Sequence, residues 1–160
     1  MTPGGRTFRE KIWYLCSILL IGIHAADLIR VNRKLKPRIL SIDDDPGIGA
    51  LLLRLFHGTG RYTVALESEP FQAVETARKF RPDIIILDVN MPGQNGIEIA
   101  GRLRAEPWLR YRPILLFTGM PTPLAMQRLA LGDGPVDYLH KGTSLDAIIE
   151  AADRLLAGQN

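Results

Sequence analysis

The chain has 160 residues, 46% of them hydrophobic, which suits one ordinary domain with a short extra segment. Its net charge is +3, but the stretch up to Lys36 carries seven Lys or Arg against Glu10 and Asp27, a net of +5, so the remainder carries −2. That distribution argues against a basic nucleic-acid-binding face on the main domain, and the single cysteine, Cys16, excludes an internal disulfide and any zinc-type Cys/His cluster.

Residues 1–36 read as a basic, hydrophobic N-terminal extension. From Ile12 to Ala26 no residue is formally charged, giving "IWYLCSILLIGIHAA" between basic flanks. As a helix this stretch would span roughly 22 Å, short of the roughly 30 Å hydrocarbon core of a bilayer. A signal peptide matches the length better, with Arg6, Arg9 and Lys11 as a basic leader, yet no small-x-small cleavage site follows. A membrane anchor, a signal-like segment and a packed or disordered tail are the open readings, together with an initiator at Val31 that would leave the first thirty residues untranslated.

The main domain, residues 37–158, alternates apolar runs of strand length with amphipathic stretches of helical length. Strands are expected at Arg38–Ile42, Tyr62–Glu67, Asp83–Leu87, Pro113–Phe117 and Val136–Leu139. Helices are expected at Pro46–His57, Pro70–Phe80, Asn95–Ala105, Pro121–Leu131 and Ser144–Ala157. Strands separated by helices cannot pair as hairpins, so right-handed crossovers predict a mostly parallel sheet covered on both faces. Ile84, Ile85, Ile86 and Leu87 form the clearest doubly buried strand. Asp45 before Pro46 has the form of an N-cap followed by proline at the first helical position, while "MPGQNG" (Met91 to Gly96) and "LGDGP" (Leu131 to Pro135) are turn chemistry.

Polar residues cluster where the strands end. Asp43 and Asp44 follow the first strand, Asp88 the third, Thr118 the fourth and Lys141 the fifth. Open parallel sheets bind ligands at the carboxyl ends of strands where the strand order reverses. In the order 2-1-3-4-5 the first and third strands are neighbours there, so Asp43, Asp44 and Asp88 would meet. Three such carboxylates repel unless a cation joins them or one takes up a proton. Oxygen-only ligands favour a hard ion, magnesium above all, with manganese as the alternative. A phosphoryl group then fits beside it: Lys141 supplies positive charge, Thr118 a hydroxyl, Gly119 open space and Asp88 a carboxylate nucleophile. Taken singly each of these residues has a plainer reading, a turn, a cap or a solvated charge; their convergence on one edge gives them weight.

From about Pro37 to Ala157 the chain resembles the receiver domain of bacterial two-component response regulators, a flavodoxin-like (βα)5 doubly wound fold. The motifs are "ILSIDDDP", "IIILDVNMPGQNG", "ILLFTG" and "DYLHKG". The resemblance implies that Asp88 is the phosphorylation site, that Asp43 and Asp44 hold Mg2+ with the backbone carbonyl of Asn90, and that Thr118 and Lys141 contact the phosphoryl group. Tyr138 takes the aromatic switch position, and Asn90 and Met120 the positions that tune dephosphorylation. One departure stands out: Gly142 follows the lysine where the family usually has a proline, commonly cis. A trans bond is expected there, with glycine's backbone freedom left to aim Lys141.

These residues lead to the expectation of a CheY-like, single-domain response regulator that is a phosphoprotein rather than an enzyme, catalysing only its own phosphotransfer and autodephosphorylation. A histidine kinase or phosphotransfer protein would donate the phosphoryl group, and an unidentified protein, not nucleic acid, would receive the signal through the surface of the fourth helix, fifth strand and fifth helix. The expected location is the cytoplasm, with membrane contact only through the N-terminal extension. Two rivals are a haloacid-dehalogenase-type phosphohydrolase, for which Asp43 and Asp45 have the Asp-x-Asp spacing but Gly47 stands where Thr or Val is expected, and a phosphorylation-independent docking module.

Overall fold

The structure, a computed structural model, describes residues 36–119 and 134–159. The N-terminal extension up to residue 35, the helix expected at Pro121–Leu131 and the tuning position Met120 lie outside the described residues.

Five strands, β1 (Arg38–Ile42), β2 (Thr63–Glu67), β3 (Ile84–Leu87), β4 (Ile114–Thr118) and β5 (Val136–His140), form one sheet among the described residues. Every pairing is parallel, and the spatial order is β2-β1-β3-β4-β5. Around it lie α1 (Pro46–Gly58), α2 (Ala73–Phe80), α3 (Gly96–Ala105) and α4 (Leu145–Ala157). This is the expected doubly wound α/β architecture with the expected strand order.

The period-two alternation of the strands divides their side chains between two cores. Leu40, Ile42, Ile85, Leu87, Ile114 and Leu116 pack on one face with Ala73 and Ala77 of α2 and Ile99, Ala100 and Leu103 of α3. Ile39, Ile84, Ile86, Leu115 and Phe117 pack on the other with Leu52 and Phe56 of α1 and Ile148, Ala151, Ala152 and Leu155 of α4. Phe56, Phe117 and Leu52 are fully buried, each stabilising the fold by about 1.5–3 kcal/mol relative to an exposed position. No helix among the described residues is long and apolar enough to cross a membrane.

Local chemistry sets the element ends. Asp45 is extended (φ −83°, ψ 109°) and its Oδ1 accepts the N–H groups of Gly47 at 2.8 Å and Ile48 at 3.4 Å, with Pro46 opening α1. Asn95 and Ser144, expected as the first helical residues, instead cap α3 and α4 by accepting the N–H groups of Ile97 and Ala147. Pro70–Gln72 makes a separate 3-10 turn before α2 rather than continuing it. β2, β3 and β4 each begin one residue later than the alternation suggests, and β4 and β5 run one residue further, taking in Thr118 and His140. "MPGQNG" is more than a turn: Asn90–Met91 pairs antiparallel with Gln94–Asn95 in a small hairpin, with Gly93 at φ 74°.

Candidate phosphoryl and cation site

The reversal of strand order falls between β1 and β3, whose last residues Ile42 and Leu87 lie side by side in register. Hydrogen bonding continues one residue further, the Asp88 N–H donating to the Ile42 carbonyl at 3.0 Å and the Asp43 N–H to the Glu67 carbonyl at 3.1 Å. The ladder itself therefore sets Asp43 and Asp88 at the same level on the carboxyl edge. Asp44 joins them, and one carboxylate oxygen from each of the three lies within 4.8 Å of the others.

Lys141 reaches into this group from the end of β5. Its Nζ lies 2.8 Å from Asp43 Oδ2 and 2.7 Å from Asp88 Oδ2. The remaining oxygens of the two aspartates face backbone: Asp43 Oδ1 accepts the Asp45 N–H at 3.0 Å and Asp88 Oδ1 accepts the Asn90 N–H at 3.1 Å. Asp43 and Asp88 are 5% and 4% exposed, and Thr118 at the end of β4 is fully buried. Burial pushes the Asp43 carboxyl above its usual range; the hydrogen bonds from Lys141 and Asp45 and the Lys141 charge work against that, and the Asp88 charge adds to it. Burial alone would lower the Lys141 ammonium, but its bonds to Asp43 and Asp88 outweigh it and hold the group above the ordinary lysine value.

Three carboxylates against one ammonium leave a formal excess of two negative charges at a largely buried strand edge. An all-oxygen donor set with that excess fits a hard divalent cation, and no other residue type has to be invoked. At Gly119 a Cβ would meet nothing within 4 Å among the described residues. Tyr138 is half-buried on β5 beside Leu116 and packs against the core that holds α2 and α3. Asn90 is exposed in the small hairpin, two residues beyond Asp88.

The plainer reading holds for Asp45, whose Oδ1 serves the first turn of α1. The second carboxylate of an Asp-x-Asp phosphatase motif is thus committed to a helix cap. Glu67 is likewise structural, accepting the Thr76 hydroxyl and the Glu69 N–H. At Gly142 the expectation divides: no cis peptide occurs among the described residues, as anticipated, but the residue is not in the left-handed region. Its lack of a side chain matters for a different reason, because a Cβ would lie 3.0 Å from His140 Nδ1.

Two residues of the site were not singled out from the sequence. A Cβ on Gly96 would run into the Asp88 carbonyl and lie 2.7 Å from Val89 Cα, while the Gly96 N–H donates to the Val89 carbonyl at 2.9 Å. Only glycine lets α3 start this close beneath the Asp88 loop. The "NG" pair gave the turn signal but not the contact. His140 is the other, its ring nitrogens contacting the Gly142 N–H and the Gly119 carbonyl.

This is a doubly wound α/β domain that gathers two buried aspartates, a half-buried third and a bridging lysine at its switch point, an all-oxygen donor set of the class that suits a hard cation. Residues 39–153 match the response regulator receiver domain, and the chain belongs to that family. It is 34% identical over 107 residues to the DNA-binding response regulator MtrA of Mycolicibacterium smegmatis, covering 67% of this chain and 45% of MtrA. The chain thus spans about half the length of the curated relatives it matches. Among solved structures, the chemotaxis protein CheY4 of Vibrio cholerae superposes with a TM-score of 0.69 at 26% identity, over 74% of this chain and 98% of CheY4. The receiver domain of sensor histidine kinase PA1611 from Pseudomonas aeruginosa PAO1, solved with a magnesium ion coordinated in its active site cleft, shares the fold at a TM-score of 0.66 and 23% identity, over 76% and 98% of the two chains.

Proposed function

We propose that the protein is a phosphorylation-controlled signalling switch in which Asp88 accepts a phosphoryl group from a histidine kinase or phosphotransfer protein. The observation that carries this reading is the Lys141 ammonium shared between Asp43 and Asp88 at the strand-order reversal. A carboxylate oxygen of Asp88 attacks phosphorus in line, a P–O bond forms as the donor's P–N bond breaks, and the imidazole leaves with the electron pair. Lys141 offsets charge on the equatorial oxygens, and the Thr118 hydroxyl would donate to the product phosphoryl group. Asp43, Asp44, Asp88 and the Asn90 carbonyl would hold Mg2+, with Mn2+ as the substitute, and the ion supplies charge neutralisation for the transfer. That PA1611 holds magnesium in its cleft and that the donor set here is all oxygen both support this assignment.

The phosphorylated aspartate adds about two negative charges near neutral pH. Thr118 moves toward it, Tyr138 gains room to turn inward, and the surface around β5 and α4 changes its affinity for a partner protein by population shift. The protein works as a phospho-acceptor rather than a turnover enzyme, in the cytoplasm where its kinase donor acts. Acetyl phosphate with magnesium should add one phosphoryl mass to the wild type and none to Asp88→Asn. An unmodified wild type, or equal labelling of Asp88→Asn, refutes the reading. A partner captured equally by Asp88→Asn and by the phosphorylated wild type would favour a docking module instead.

A further inference from the structure

Thr118 and His140 are register partners at the carboxyl ends of β4 and β5. Gly119 follows Thr118 on one strand, and Lys141–Gly142 follow His140 on the other. The exposed His140 imidazole bridges these two segments. Its Nδ1 accepts the Gly142 N–H at 2.9 Å, and its Nε2 lies 3.1 Å from the Gly119 carbonyl oxygen. Because Gly142 is a donor, Nδ1 must carry the lone pair. Nε2 then carries the hydrogen and donates to Gly119, so one neutral tautomer satisfies both contacts.

The surrounding backbone turns this into a brace for the lysine. The Lys141 N–H donates to the Thr118 carbonyl at 3.0 Å and the Thr143 N–H to the His140 carbonyl at 2.9 Å, so both polar ends of the 140–141 peptide are hydrogen-bonded and the His140 to Thr143 bond closes a turn around Lys141 and Gly142. The Lys141 Nζ must reach 2.8 Å and 2.7 Å contacts with two different strand ends. A rotation of the 141–142 peptide would move the base of that side chain and lose one contact or both. A proline at position 142 would have no N–H to give, and any side chain there would crowd the ring at 3.0 Å from Nδ1 and 3.3 Å from Cε1. His140 and Gly142 thus form a matched pair, each needing the other.

We propose that His140 is a positioning residue for the phosphoryl-transfer reaction: by bridging the Gly142 N–H and the Gly119 carbonyl, its imidazole fixes the backbone from which Lys141 reaches Asp88. The inference rests on the reading of Asp88 as phospho-acceptor. His140 touches none of the three carboxylates, so its loss should slow transfer without weakening cation binding.

The test measures phosphorylation by acetyl phosphate and, separately, Mg2+ affinity by titration of the full chain. His140→Ala should phosphorylate roughly tenfold more slowly than the wild type, the scale expected when a catalytic group is misplaced by a fraction of an ångström, with Mg2+ affinity within about twofold. In His140→Asn the side-chain oxygen can accept the Gly142 N–H two residues on while the Gly119 contact is lost, so it should recover part of the rate. Gly142→Ala, which leaves both side chains present but crowds the ring, should be slow as well and should not add to His140→Ala; being an exposed loop change, it keeps the test open if His140→Ala folds poorly. Wild-type rates in His140→Ala and Gly142→Ala, equal slowing in His140→Asn, or a rate loss matched by lost Mg2+ affinity each overturn the proposal. A wild type that takes no phosphoryl group overturns the phospho-acceptor reading and this one with it, whereas a phosphorylated wild type with an equally fast His140→Ala overturns this one alone.

Discussion

Replacing Lys141 by methionine keeps most of the side chain's volume and removes its charge. In the wild type the ammonium sits 2.8 Å and 2.7 Å from two carboxylates whose side chains are 3% and 5% exposed, and is itself 19% exposed. Removing one partner from a buried ion pair typically costs 3–5 kcal/mol, and the partial solvation of the lysine discounts this to about 2–3 kcal/mol. For a chain of this length that corresponds to a melting temperature roughly 6–9 °C lower. The pH dependence has a definite sign. Asp43 already lies above its usual value because of burial, with Lys141 pulling it down, and the variant removes that pull. A carboxyl raised on folding contributes stability that is fully present below its unfolded value of about 4 and is lost as the pH rises. The deficit of Lys141→Met relative to the wild type should therefore be largest near neutral pH and shrink toward about pH 4. Added magnesium should narrow it at neutral pH, since a bound cation supplies the missing positive charge and stabilises by mass action. Thermal melts at both pH values, with and without magnesium, decide the matter. Equal melting at neutral pH, or a deficit that does not shrink in acid, would refute the charge balance drawn here.

Two other substitutions separate the support of the site from its chemistry. Gly96→Ala forces a Cβ into the backbone of Asp88 and Val89; chemical denaturation should show a loss of about 2–4 kcal/mol, and labelling by acetyl phosphate should fall with it. Asp45→Ala removes the cap of α1 and should cost about 1 kcal/mol in the same assay while leaving magnesium affinity and labelling of Asp88 unchanged, which a phosphatase using Asp43 and Asp45 together could not survive.

What was legible in the sequence follows the range of the forces involved. The run Ile84–Leu87 declares a doubly buried strand because burial on both faces leaves no polar position, and Asp45–Pro46 declares a helix start because capping involves only four consecutive residues. Asn95 and Ser144 were assigned one position too far into their helices for a related reason: a cap and a first helical residue look alike until the side chain is seen accepting an N–H. The acid set at the strand ends was legible because parallel order fixes which ends are neighbours. Gly96 and His140 were not, since the clash with the Asp88 carbonyl and the bridge from Gly142 to Gly119 exist only once separate loops are brought together. Gly142 shows the difference most directly. Its departure from the family's proline was visible, but the reason for glycine lay in the ring of a residue two positions back.

The three consecutive aspartates after β1 divide their work by geometry. Asp45 turns to the α1 N-terminus, while Asp43 uses one oxygen on the Asp45 N–H and the other on Lys141. Asp88 is held in the same way, one oxygen on the Asn90 N–H and the other on Lys141, whereas Asp44 is the most solvent-facing of the three clustered carboxylates. On the proposed reading this makes Asp44 the carboxylate with most room for a direct metal bond, while Asp43 and Asp88 divide themselves between the ion and Lys141. A cation drawn in by the excess negative charge must then share Asp88 with the lysine. That sharing favours an incoming phosphoryl group, whose oxygens can take contacts from both positive centres at once, where the carboxylate alone must divide itself between them.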